Sequence, residues 1–133
     1  MKNLRLSLEK SKPCILTIPE IPLEIEFNIA SANIALIGDG LDLTNVILNI
    51  VETKLKLDKP YNGVVINSIK SEDMNRVSKF KFNEPAFALF IDDRGKRINV
   101  YVEPVYAKFS DKYINSFGIP HFNITTMSGV KFA

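Results

Sequence analysis

Hydrophobic and polar residues alternate along most of the chain, and that period-two pattern predicts strands. Leu4-Arg5-Leu6-Ser7-Leu8-Glu9 places leucines on one face and polar residues on the other. Glu9 to Pro13 reads as a charged turn, and Cys14 to Ile18 as a second strand. Pro19 and Pro22 interrupt the next link, because proline cannot donate to a sheet ladder. Leu23-Glu24-Ile25-Glu26-Phe27-Asn28-Ile29 then alternates without a fault, as a half-buried strand with an acidic outer face does. Asn33 to Ile37 follows as a short apolar strand, ended by the turn Gly38-Asp39-Gly40.

The stretch from Leu43 to Leu57 carries two signals. Leu43, Val46, Ile47, Ile50, Val51 and Leu55 fall at helical spacing, and Glu52 with Lys56 forms a favourable i,i+4 pair. Yet Val46, Ile47, Ile50, Val51 and Thr53 are β-branched, and both ends alternate, which favours strands joined by a bulge or kink. Lys59-Pro60-Tyr61-Asn62-Gly63 contains the Asn-Gly hairpin signal, and Val64 to Ile69 follows as a strand. Ser71 to Val77 reads as one helical turn capped by Ser71, and Lys79-Phe80-Lys81-Phe82 returns to alternation.

The clearest local feature is a hairpin from Ala86 to Val102. Phe87-Ala88-Leu89-Phe90-Ile91 and Ile98-Asn99-Val100-Tyr101-Val102 flank Asp92-Asp93-Arg94-Gly95-Lys96-Arg97, where Gly95 supplies a positive-φ position. The first arm is apolar on both faces and belongs inside a sheet, while Pro104 ends or bends the second. Ser110 to Gly118 reads as a short capped helix stopped by glycine, and Phe122 to Met127 as the last strand. Many short strands and little helix predict a mainly β chain, with 1–133 forming one domain. The expected architecture is an antiparallel β-sandwich, jelly-roll or immunoglobulin-like, with one or two short helices; a small β-barrel is the second choice.

Composition narrows the function more than the fold. The chain has 133 residues, 46% of them hydrophobic, so disorder is excluded and a core is affordable. The formal charge of +2, from 17 basic and 15 acidic residues, gives no strong field toward nucleic acid or acidic lipid. One cysteine, Cys14, excludes an internal disulfide, and its apolar neighbours predict an inert buried thiol. No apolar leader follows Met1-Lys2-Asn3-Leu4-Arg5, and no run approaches a membrane span, so a cytoplasmic protein or virus-particle component is expected.

Chemistry is sparse. The single histidine, His121, is expected as a turn residue holding a local hydrogen bond, and with Cys14 it falls short of a zinc set. Asp92-Asp93 and Glu72-Asp73 are adjacent, which in extended chain sends the carboxylates to opposite faces. At a hairpin tip, solvent is expected to keep such groups ordinary. Gly38-Asp39-Gly40 lacks the rest of a phosphate-binding fingerprint, and there is no Gly-x-Ser-x-Gly elbow. No catalytic, cofactor or metal residue is therefore assigned.

These exclusions lead to a non-enzymatic structural or assembly subunit of a larger protein complex, such as a capsid, decoration, neck or tail protein. Its partners would be other protein subunits in a homo- or hetero-oligomer, with no membrane and no cofactor. The candidate contact is the mixed-charge tip, Asp92, Asp93, Arg94, Lys96 and Arg97. The alternative is a binding module, either a ligand-binding sandwich or an oligonucleotide-binding barrel. The barrel would use Lys79, Phe80, Lys81 and Phe82, because charge with aromatic platforms holds single strands. Against it, alternation puts Phe80 and Phe82 together on one face, as in a half-buried strand.

Overall fold

The computed structural model describes residues 2–56 and 61–133. Its strands are β1 (Lys2–Asn3), β2 (Leu6–Lys12), β3 (Cys14–Ile18), β4 (Leu23–Ile37), β5 (Gly40–Leu55) and β6 (Val64–Val65). They continue with β7 (Arg76–Ser78), β8 (Lys81–Phe82), β9 (Ala86–Asp92), β10 (Arg97–Ile114) and β11 (Pro120–Phe132). The one helical element among the described residues is a 3₁₀ turn, Ser71–Asp73.

The strands form two sheets. In the first, β4 lies between β5 on one side and β1 and β3 on the other, with β8 beyond β3. In the second, β10 lies between β11 on one side and β9, β7 and β6 on the other, with β2 beyond β9. Every pairing is antiparallel except the short β6–β10 ladder. The sheets face each other as a β-sandwich, and no ladder among the described residues joins β5 to β11 to close a barrel.

Alternation explains the core. Leu23, Ile25, Phe27 and Ile29 of β4 point inward, and from the opposite sheet Ala86, Ala88 and Phe90 of β9 do the same. Cys14, Phe27, Ile29, Ile34, Phe90, Ile98 and Val100 belong to one cluster spanning both sheets. Leu16, Ile18, Leu23, Ile25, Ala107 and Phe109 form a second. Each fully buried branched or aromatic side chain contributes about 1.5–3 kcal/mol through surface removed from water.

The 43–57 ambiguity resolves to strand as far as Leu55, with Leu57 outside the described residues. Register shifts leave Thr44 and Val51 unpaired as bulges on β5, and Ala30 on β4. These local kinks break the two-residue period and let apolar residues fall at helix-like spacing. Asn33 to Ile37 is the end of the continuous β4, not a separate strand. At the β4–β5 turn Gly38 holds a φ of 60°, the first-position geometry of a type II′ hairpin.

Several expectations are corrected. The leucine-rich start is split, because the chain passes from one sheet to the other at the buried Leu4, whose N–H donates to the Ile34 carbonyl at 2.9 Å. Glu9 to Lys12 is strand, not turn: it pairs with β9, and Glu9 is absorbed as a bulge. Only Val64–Val65 of the 64–69 strand forms, and it lies parallel to β10. The Lys59–Gly63 turn falls partly outside the described residues. Ser71 does not cap the 3₁₀ turn; Lys70 occupies the cap position without a side-chain bond, and Val77 belongs to β7.

The predicted helix from Ser110 to Gly118 is absent. Its cap-like residues serve a strand and a hairpin instead. Ser110 Oγ accepts from the backbone N–H groups of Lys112 and Tyr113 at 3.2 and 2.9 Å, bending β10 where its register with β11 is irregular. Pro104 bends β10 without ending it. It falls where β9 has ended and β7 has not begun, so its missing N–H removes no ladder bond on that side.

Candidate interaction surface

The hairpin tip is built around Asp92. The Gly95 N–H donates to the Asp92 carbonyl at 3.0 Å, and the Asp92 N–H to the Lys96 carbonyl at 2.9 Å, with Gly95 at a φ of 81°. Asp92 Oδ1 accepts from the N–H groups of Arg94 and Lys96, both at 2.9 Å. Asp92 Oδ2 accepts from Arg94 Nε at 2.9 Å and from the guanidinium end at 2.6 Å. The expectation of a solvated Asp92 is thus corrected: its side chain is fully buried, because it caps the turn. Burial alone would raise its pKa. The bonds from the Arg94 side chain and from the Lys96 and Arg94 backbone outweigh that and hold the carboxyl below its ordinary range.

Two further charges at the tip are also engaged within the chain. Arg97 Nε donates to the bulged Glu9 at 3.2 Å, and Lys96 Nζ lies 5.6 Å from the centre of the Phe132 ring. Asp93 is exposed. As a contact surface, the tip has most of its charge already satisfied.

Around Lys79 to Phe82 the alternation is as expected. Lys79 and Lys81 are exposed, while Phe80 and Phe82 lie 6.2 Å apart between ring centres and pack on the second core cluster. Rings held that way are not free to stack on bases. Nearby, Arg76 is paired with Glu20 at 2.8 Å.

His121 is corrected from a turn residue to a strand residue of β11. Its Nε2 lies 2.7 Å from the carbonyl of Ile66, far away in sequence. Cys14 is fully buried, and burial, with the nearby Glu84 charge, pushes its thiol up to about 11. No group of three or more His, Cys, Asp or Glu among the described residues is placed to hold a metal ion. No helix among them is long and apolar enough to cross a membrane.

The surface that sequence reading missed lies between β5 and β11. β5 is the outer strand of one sheet and β11 the outer strand of the other, and each is paired on one side only. An open cleft of about 250 Å³ runs between them, with Ile25, Phe27, Leu48 and Ile50 on one wall and Phe122 and Ile124 on the other. A neighbouring cleft of about 270 Å³ continues along Leu43, Thr44, Asn45, Val46 and Leu48 toward Thr126 and Ser128. No charged side chain lines either cleft. Along β5, Ile47, Ile50 and Val51 remain 51%, 52% and 50% exposed. The signal available in sequence was the charge-free run Leu43 to Val51, but only the topology shows that it is an outer strand.

No protein-family model, curated protein or solved structure matches this chain.

Proposed function

We propose that the protein is a non-enzymatic structural or assembly subunit of a larger protein complex, of the kind that builds virus and phage particles. Its contact surface is the β5–β11 seam. One observation carries this reading: two long outer strands, of 16 and 13 residues, flank a charge-free apolar cleft on the same side of the sandwich. An unpaired strand edge is a row of free backbone donors and acceptors, and a long apolar one is a template for pairing with another chain. The hairpin tip, with its charges engaged internally, is the weaker of the two candidate contacts.

The test is a photo-crosslinking residue placed at Ile50 in the seam and, separately, at Asp93 on the tip, in protein kept at its native level in its source. The seam position should yield a discrete protein adduct and the tip position should not. A chain that stays at 15.0 kDa from both positions contradicts the assembly reading.

A further inference from the structure

We infer that the occupant of the β5 edge is a second copy of this chain, paired β5 to β5 in antiparallel fashion about a two-fold axis through Leu48. This inference rests on the assembly reading and names the partner. A two-fold antiparallel pair sets each residue opposite its mirror position, so faces and charges must both be self-complementary.

On β5 the inward side carries Leu41, Leu43, Val46 and Leu48, which pack on the first core cluster, and Leu55, which packs on the second. The exposed side carries Asp42, Asn45, Ile47, Asn49 and Lys54. With Leu48 at the centre, Leu41 opposes Leu55, Leu43 opposes the half-buried Thr53, and Val46 opposes Ile50, which lines the cleft. On the outer face Ile47 opposes Asn49, and Asp42 opposes Lys54 twice, once on each side of the axis. The ends of β5 differ in sign, acidic at Asp39 and Asp42 and net basic over Glu52, Lys54 and Lys56, where Lys54 lies 3.6 Å from Glu52, so antiparallel pairing joins opposite net charges.

Neighbouring registers fail. A shift of the axis by half a residue sets inward leucines against outward residues. An axis through Ile47 opposes Asp42 to Glu52, two acids. An axis through Asn49 opposes the inward Val46 to the exposed Glu52. In the Leu48 register the second copy extends the first sheet and lays Val46 and Leu48 of its own β5 beside Phe122 and Ile124, over the cleft. The pair then removes from water the exposed Ile47 and Ile50 edge that the single chain leaves open.

The experiment is sedimentation equilibrium on wild type, Asp42→Lys and the double variant Asp42→Lys/Lys54→Asp, with thermal melts to confirm folding. Wild type should sediment as a species of twice 15.0 kDa at about 100 μM. Asp42→Lys, which sets like charges opposite each other at two places, should weaken association about tenfold, and the double variant should restore most of it. A disulfide assay reads the register without the charges. Chains carrying Ile47→Cys mixed with chains carrying Asn49→Cys should cross-link on oxidation, and neither should do so alone, because only the mixed pair falls directly opposite. Strictly monomeric wild type overturns the inference. So does a larger species that is indifferent to Asp42→Lys and to the cysteine pair. A seam adduct to a different protein in the crosslinking test then still upholds the assembly reading, so the two can fail separately.

Discussion

The two lateral sides of the sandwich solve the same problem differently. On one side the chain itself passes between the sheets, at Leu4-Arg5 and at Pro13, and the outer strands there are short or broken. β1 and β8 have two residues each, and β2 carries the Glu9 bulge with Lys10 and Lys12 on its exposed surface. Short strands, bulges and lysines are the devices that keep an edge from pairing with a stranger. On the other side the outer strands are the long β5 and β11, and no ladder among the described residues joins them. β5 has bulges at Thr44 and Val51 but no charge between Asp42 and Glu52. One edge is guarded and the opposite one is long and apolar, and the proposed second copy on the open side would account for that asymmetry.

Substitutions on the two sides should have different consequences. Leu16→Ala removes a fully buried side chain from β3, on the closed side, and should cost about 2–5 kcal/mol in denaturant unfolding. Ile47→Lys, on the open edge, should leave the stability of the single chain within about 0.5 kcal/mol while weakening self-association. Equal losses of stability from both would mean that the open edge is part of the core.

The hairpin tip should respond to acid. The Asp92 carboxyl is held below its ordinary range in the folded chain, so the unfolded chain takes up its proton more readily. The stability it confers is full above about pH 4 and is lost as the pH falls through the depressed value. Thermal melts of wild type should therefore fall over that acid range. Asp92→Asn, which keeps an acceptor for the backbone N–H groups but loses the Arg94 ion pair, should show a flatter acid profile. An unchanged profile would refute a contribution of the Asp92 charge to stability.

The smallest effect is chemical. Cys14 begins β3 on the closed side, and burial raises its thiol to about 11. A thiol reagent at pH 8 should leave it unmodified in folded protein and label it rapidly in denaturant. Rapid labelling of the folded chain would show that the closed side opens.

Two turns show how far sequence reading reaches. Asp92-Asp93-Arg94-Gly95-Lys96 and Asn115-Ser116-Phe117-Gly118-Ile119 are built alike. In each the leading Asp or Asn side chain accepts from the N–H groups two and four positions on. In each the glycine has a φ of 80–81° and donates to the leading carbonyl. The first turn was legible because two strand-like arms flank a charged loop that contains glycine. The second was read as the end of a helix, because Ser110, Asp111 and Gly118 imitate cap chemistry and only pairing with β11 decides between them. The inward alternation of β4 from Leu23 to Ile29 was equally legible. The open seam was not, since which strands lie outermost depends on pairings distant in sequence. The burial of Asp92 escaped for a related reason: adjacency predicts facing, and only the folded turn shows the side chain turned back beneath its own loop.

Hydrogen exchange at two protein concentrations reads the occupancy of the open edge. At high concentration, backbone amides from Leu43 to Val51 should be markedly slowed relative to dilute protein, while those of Cys14 to Ile18 exchange alike in both. Exchange across Leu43 to Val51 that is identical at the two concentrations would contradict the account, because the open edge would then have no second copy to bind.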